Sequence, residues 1–449
     1  MILGLTVFHW KALTEHRAKT LPDHPDPTLR TRRYRLPYEN VFQLVVQTLE
    51  ALPQWTPVHQ DPQAGAIRAE RHTRIFRFID DVHIIIIATK KGNHDIVLNL
   101  ESTSRVGKGD LGQNARNIRE FLNEMDRAAA ASVFDRQAAA GAFEGLPDRL
   151  ADHVHRLAGQ IGERHYKQKE AYDRAATYIA EQFLQSGYRP SFETFRIDEI
   201  PLLARLRSGG DAREAIEALA YKNIVAVKAG LGDAAIVVGA HYDTHEGTPG
   251  ADDNASGIAV LLETARLLQA RHLEKTVFFV AFGNEEAPFF RTSAMGSAHF
   301  LKARKAEHTR IAFMISLEML GYYTDVPKSQ AYPPLLRFFY PDRGNFIAVV
   351  GNLASNRFAR KIKQSFEEKA GLPAEALSAP RWVPGVDFSD QLHFWKAGIP
   401  AVMVTDTAFY RNPYYHTAKD LPQTLNFNKM AEVTKGIVFA LLRIDKETG

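Results

Sequence analysis

The stretch A-A-I-V-V-G-A-H-Y-D, Ala234 to Asp243, followed after a short turn by G-A-D-D-N-A-S-G, Gly250 to Gly257, decides how this chain is read. Ala234 to Val238 is an unbroken apolar run, which marks a strand buried on both faces. His241 and Asp243 follow within a few residues, so both should emerge at the strand's carboxyl end, where ligands bind in open α/β sheets. A neutral imidazole can bind zinc, and a carboxylate two residues on can accept the other ring N–H and fix the tautomer. Alone, H-x-D is more often a hydrogen-bonded structural pair, and His245 reads as a loop residue beside it.

Asp252, Asp253 and Asn254 precede A-S-G, small residues that let a helix begin tightly against a sheet. Capping of that helix explains one of the acids. It does not explain the whole context, and a carboxylate there has two oxygens with which to serve two cations. Glu285 and Glu286 follow T-V-F-F-V-A-F, Glu318 ends I-A-F-M-I-S-L, and His416 lies in Y-Y-H-T-A-K-D after A-V-M-V-T. Adjacent glutamates point differently, so one can bind metal while the other stays free as a general base. Each group alone reads as structural. Together they are expected to converge from five successive strand ends on one sheet edge, which points to a metallohydrolase.

Working outward, apolar runs place strands at Asn223 to Val227, Thr276 to Phe282, Ile311 to Leu317, Asn345 to Val350 and Ala401 to Thr405. Helices are expected at Gly257 to Ala270, Asn356 to Ala370 and Lys429 to Leu442. The alternation predicts an α/β fold, a mostly parallel sheet with helices on both faces. Upstream, a helix from Tyr38 and strand-like runs at Ala66 to Ala69, Arg74 to Ile87 and Asp95 to Thr103 predict a small α+β domain over 31–130. Within it Gly107 and Gly109 suit a tight turn, Asp110 suits a helix N-cap, and Asp80 or Asp81 can pair with Arg105. The alanine-rich segment gives a linker at 131–145, and the larger domain is 146–449.

Composition narrows the chemistry. The chain has 449 residues, 45% hydrophobic and 24% charged, ordinary values for a globular protein. It has no cysteine, so any metal must be held by His, Asp and Glu. Net charge is only +4 with both signs interleaved, which argues against nucleic acid as a partner. The start, M-I-L-G-L-T-V-F-H-W-K, is too short in its apolar part for an export signal, and no later run has the length of a membrane span. A soluble protein is expected, with export open if a start lies upstream of Met1. Oligomeric state is not legible.

H-Y-D, P-G-A-D-D-N-A-S-G, N-E-E, L-E-M-L-G and Y-H-T-x-x-D, in that order, resemble the co-catalytic di-zinc aminopeptidase family, which includes bacterial aminopeptidases, glutamate carboxypeptidase and glutaminyl cyclases. The resemblance covers about Leu146 to Leu442. It implies two zinc ions per chain, with Asp253 bridging them, His241 and Glu318 completing one site, and Glu286 and His416 the other. The Glu318 position is often Asp in the family. Glu285 then matches the general base for a metal-bridging water, and Asp243 the acid that orients His241. Asp252 and Asn254 flank the bridge, and Tyr410 and Tyr415 become candidates for oxyanion or substrate contacts.

The implied activity is hydrolysis of a peptide substrate, as an exopeptidase of the aminopeptidase kind. Two alternatives are a glutaminyl cyclase-like or other amide chemistry on this scaffold, and a non-catalytic interaction domain. Retention of His241 argues against the first, and the intact ligand and base positions argue against the second. The upstream region resembles a bacterial domain family of unknown function through F-I-D-D-V, Phe78 to Val82, and S-R-V-G-K-G-D-L-G-Q-N, Ser104 to Asn114.

Overall fold

The computed structural model describes residues 16–34, 36–73, 78–89, 95–105, 112–137, 141–197, 216–334 and 336–446. Two units separate between Ala142 and Phe143. In the first, β1 (Arg17–Lys19), β2 (Arg32–Tyr34), α1 (Tyr38–Ala51), β3 (Trp55–Asp61), β4 (Ala66–His72), β5 (Ile79–Ala88), β6 (Ile96–Ser104) and α2 (Gln113–Gln137) follow in turn. The strands pair antiparallel in the order β1-β6-β5-β4-β3, with β2 also on β6. Alternation along β5 sends Val82, Ile84 and Ile86 into one core with Val41, Val45 and Leu49 of α1 and Phe121, Leu122 and Met125 of α2.

The same alternation separates the two aspartates. Asp81 faces outward and pairs with Arg105 at 2.6 Å. Asp80 faces inward, where it accepts from Ser104 Oγ at 2.7 Å and Asn117 Nδ2 at 2.8 Å. Gly107, Gly109 and Asp110, like residues 74–77 of the expected second strand, lie outside the described residues. Helix α2 continues through Gln137, so 131–137 of the expected linker is helical.

The second unit contains α3 (Leu146–Val154), α4 (Lys169–Gln185), β7 (Ser191–Arg196), β8 (Ala220–Lys228), β9 (Ala234–His241), α5 (Gly257–Leu268), β10 (Thr276–Phe282), α6 (Gly296–Ala306) and β11 (Arg310–Glu318). Then come β12 (Ile347–Gly351), α7 (Asn356–Ser365), β13 (Ala374–Ser378), α8 (Gln391–Lys396), β14 (Ala401–Thr405) and α9 (Phe427–Asp445). The eight strands lie in the order β13-β12-β14-β11-β9-β10-β8-β7. β14, β11, β9 and β10 form a contiguous parallel block. β8 runs antiparallel to β10, and the parallel pair β12 and β13 runs opposite to β14.

The parallel block is apolar without alternation because both its faces are covered. Val237, Val280 and Met314 point to one face, in a core with Phe300 of α6 and Phe394 of α8. The other face lies under α5, which packs on β9, β10 and β11 and is itself covered by α3 and α9. Accordingly, nearly every residue of α5 is buried, as a helix apolar all round should be. Gly257 opens this helix so close to β11 that a Cβ there would sit 2.3 Å from Asn254 Oδ1 and 2.8 Å from the Leu317 carbonyl oxygen. Among the described residues, no helix is long and apolar enough to cross a membrane.

Candidate metal centre

The chain enters β10 on one side of β9 and β11 on the other, so the order of strands reverses at β9 and leaves a crevice at the carboxyl ends. His241 ends β9, Asp253 lies in the turn before α5, Glu285 and Glu286 follow β10, and Glu318 ends β11. His416 comes eleven residues after β14. The expected five successive strand ends are thus four, from β9, β10, β11 and β14. β12 and β13 intervene in sequence but run the other way, so their carboxyl ends lie at the opposite edge.

His241 Nε2 lies 3.3 Å from Asp253 Oδ1 and 3.3 Å from Glu318 Oε2. His416 Nε2 lies 3.1 Å from Asp253 Oδ2 and 3.2 Å from Glu286 Oε1. Asp253 therefore turns one oxygen to each histidine, and two groups share it: His241, Asp253 and Glu318, and Asp253, Glu286 and His416. Glu285 belongs to neither, its Oε2 being 4.0 Å from His241 Nε2.

Chemically, this donor set fits cations. Asp253 Oδ1 and Glu286 Oε1 are buried yet have no hydrogen-bond partner, although an imidazole nitrogen is near each. Burial opposes the Asp253 carboxylate, but the imidazoles of His241 and His416 outweigh it and hold its pKa well below the usual range. Glu286 is pushed up to about 7, by burial first and then by the charge of Asp253. Burial also raises Glu285 strongly, with Glu286 and Glu318 adding to the effect. Four buried carboxyl groups facing two imidazoles are short of positive charge, and divalent cations would supply it. Hard and borderline cations take this N/O donor set, whereas soft ones prefer sulfur.

The surrounding residues aim these groups. The Asp243 carboxylate accepts the backbone N–H of Glu285 at 3.1 Å and of Glu286 at 3.0 Å, fixing the turn after β10. Toward His241 Nδ1, Asp243 presents its main-chain carbonyl oxygen at 3.2 Å and its carboxylate Oδ1 at 3.5 Å. Asp252 accepts from Gly321 N and Asn412 Nδ2. Asn254 donates to the Leu317 carbonyl and accepts from Gly257 N and Met319 N, tying the acidic turn to the end of β11. The helix start is thus served by Asn254, which leaves both aspartates for other work.

Sequence reasoning missed several supports. Asp420, the last letter of Y-H-T-x-x-D, accepts the backbone N–H of both Asp252 and Asp253. Ser389 Oγ donates to Glu318 Oε2 at 2.7 Å. Arg164, wholly buried, donates to the carbonyls of Leu157, Gly162, Tyr242, Pro249 and Gly250, clamping both ends of the segment between His241 and Asp253. Only Asp420 had a signal, its place in the motif. Beside Glu318 and Tyr415 opens a mainly apolar pocket walled by Phe346, Val350, Leu377, Phe388, Met403 and Tyr410.

The fold is that of known zinc aminopeptidases. The Bacillus subtilis zinc aminopeptidase BSAP superposes with a TM-score of 0.52 at 17% identity, covering 67% of this chain and 95% of that one. The Legionella pneumophila aminopeptidase LapA gives 0.52 and 17% over 82% and 94%. Residues 223–441 match the model of peptidase family M28, and residues 11–125 match a protein family of unknown function, DUF1499. The uncharacterised protein YfbL of Escherichia coli K12 is 40% identical over 66% of this chain and 87% of its own length. A probable leucine aminopeptidase of Arthroderma otae is 29% identical over 48% of this chain and 55% of its own length, so the chain spans about half of that relative. This chain belongs to peptidase family M28.

Proposed function

We propose that residues 146–449 form a two-zinc aminopeptidase that releases a large apolar residue from the N-terminus of peptides. The observation that carries this is the position of Asp253, with one oxygen in each of two potential ligand groups. His241, Asp253 and Glu318 would hold one ion, and Asp253, Glu286 and His416 the other. When bound, zinc supplies Lewis acidity to the scissile carbonyl and to the attacking water.

Glu285 is the free base beside them. It takes the proton of the attacking water and returns it to the leaving amine. Asp243 keeps Glu285 and Glu286 in their turn. The Tyr415 ring lines the pocket beside Glu318, and its hydroxyl is the group offered to the developing oxyanion. The apolar pocket beside Glu318 takes the side chain of the first residue and excludes water from it.

Metal analysis with hydrolysis of leucyl, phenylalanyl and alanyl nitroanilides by wild type and Glu285→Gln tests the reading. About two zinc ions per chain are expected, with activity removed by a chelator. Glu285→Gln should keep its metal and lose turnover by about 10²–10⁴-fold. Full turnover in that variant would reject Glu285 as the base. A wild type that holds no divalent metal would reject the whole reading.

A further inference from the structure

His416 differs from the other candidate ligands in how it is held. His241 is 1% exposed at its side chain and has Asp243 at its Nδ1. His416 is 26% exposed, against at most 9% for Asp253, Glu286 and Glu318. Among the described residues, no hydrogen bond reaches its Nδ1. A histidine that ligates a metal normally has its other ring nitrogen fixed by a carboxylate, a carbonyl or water, which sets the ring's orientation. Among the described residues, the groups that pack on this ring are aromatic.

Two rings do so. Tyr415 stacks on His416 with centroids 3.8 Å apart and planes 19° apart, and His245 stacks on it at 4.1 Å and 21°. Two rings that close and nearly parallel cannot share one face, so the imidazole is held between them. His245 is itself anchored. Its Nδ1 lies 2.9 Å from the Glu246 carbonyl oxygen, and Glu246 is bound by Lys167 at 2.7 Å. The preceding residue, Thr244, exchanges hydrogen bonds with the Arg164 backbone, and Gly247 N donates to Glu163. A loop tied down at so many points presents a fixed ring.

We propose that His245 is a positioning residue for the second cation group: with Tyr415 it clamps the His416 ring so that Nε2 stays aimed between Asp253 and Glu286. The inference rests on the two-cation reading above. His245 acts on His416 through its ring face, and its Nδ1 contact only adds to the loop ties that already place that ring; stacking restrains rotation of the His416 ring about its Cβ–Cγ bond. Loss of that ring would free His416 to turn out of line and would weaken one cation site while sparing the His241 site.

Competitive zinc titration of the metal-stripped full chain against a chromophoric chelator tests this in wild type, His245→Ala and His245→Phe. Circular dichroism of the stripped proteins controls for folding. The alanine variant is expected to lose about tenfold or more in affinity at one site, with the other changed by less than threefold. The phenylalanine variant, which keeps a ring face, should stay within about threefold of wild type at both sites. Two sites of unchanged affinity in the alanine variant would overturn the inference alone. So would a phenylalanine variant as weak as alanine, because a ring nitrogen would then be the part that matters. Uptake of fewer than two ions by the wild type would overturn the two-cation reading, and this inference with it.

Discussion

Asp420 holds Asp253 by its backbone: one carboxylate oxygen of Asp420 accepts the Asp253 N–H at 3.1 Å, and the other accepts the Asp252 N–H at 2.8 Å. The residue proposed to serve both cations is therefore placed by an acid 167 positions further along the chain. Replacement of Asp420 by Ala should lower zinc affinity at both sites, by about 10–100-fold, since outer supports of metal ligands carry effects of that size. Chelator competition would measure it. An Asp420→Ala protein with wild-type affinity would show that the turn holds Asp253 unaided.

Arg164 makes the converse kind of contact, a buried cation whose acceptors are five backbone carbonyls. The Leu157 and Gly250 carbonyls also accept from Gly162 N and Ala255 N, so Arg164→Met strips the donor chiefly from the carbonyls of Gly162, Tyr242 and Pro249. The expected cost is about 3 kcal/mol or more, since each unsatisfied buried group costs roughly 1–3 kcal/mol. Arg164→Lys should also destabilise, because one ammonium cannot reach all five. Urea unfolding monitored by circular dichroism decides, and a lysine variant as stable as wild type would contradict the fork as the reason for arginine.

Glu263 supplies a pH signature away from the metal centre. Burial works against its charge, but His153, Arg266 and Arg149 outweigh it and lower its pKa from 4.5 to about 2. A carboxylate depressed in the folded state stabilises the protein above its unfolded pKa, and that contribution fades as pH falls through 4.5 toward 2. Glu263→Gln should cost about 3 kcal/mol near pH 7 and clearly less near pH 3. Denaturant unfolding of both proteins at the two pH values checks the sign. An equal gap at both would exclude the ion cluster as the cause.

The side pocket predicts a selectivity change. Val350→Phe adds bulk to a pocket wall shared with Phe346 and Met403, at a residue that is not itself a proposed ligand. It should reduce kcat/KM for leucyl and phenylalanyl nitroanilides by about 10-fold or more, in line with roughly 1–3 kcal/mol per lost methylene-sized contact, and leave alanyl nitroanilide within about threefold. Parallel losses on all three substrates would place the first residue's side chain elsewhere.

The central strands were legible because burial on both faces writes an unbroken apolar run, as in Thr276–Phe282 and Ala401–Thr405. Strands β7, S-F-E-T-F-R, and β13, A-E-A-L-S, lie at the two edges of the sheet, carry polar residues and escaped notice. The candidate ligands stood out because each sits just past an apolar run or inside a motif. Arg164 and Ser389 did not, since their work is to meet backbone or side chains far off in sequence. The reversed direction of β12 and β13 was equally hidden, because pairing partners leave no trace in one strand's own residues.

That reversal has a use. The proposed chemistry sits on the forward-running strands, while part of the pocket wall, including Phe346, Val350 and Leu377, comes from the stretch 346–377 around the two reversed ones. On the proposed reading, a share of what sets appetite lies apart in the chain from the groups assigned to reactivity. If the pocket holds the first residue as proposed, drift or laboratory selection confined to that passage would retune which peptides are accepted without replacing any proposed ligand or the proposed base.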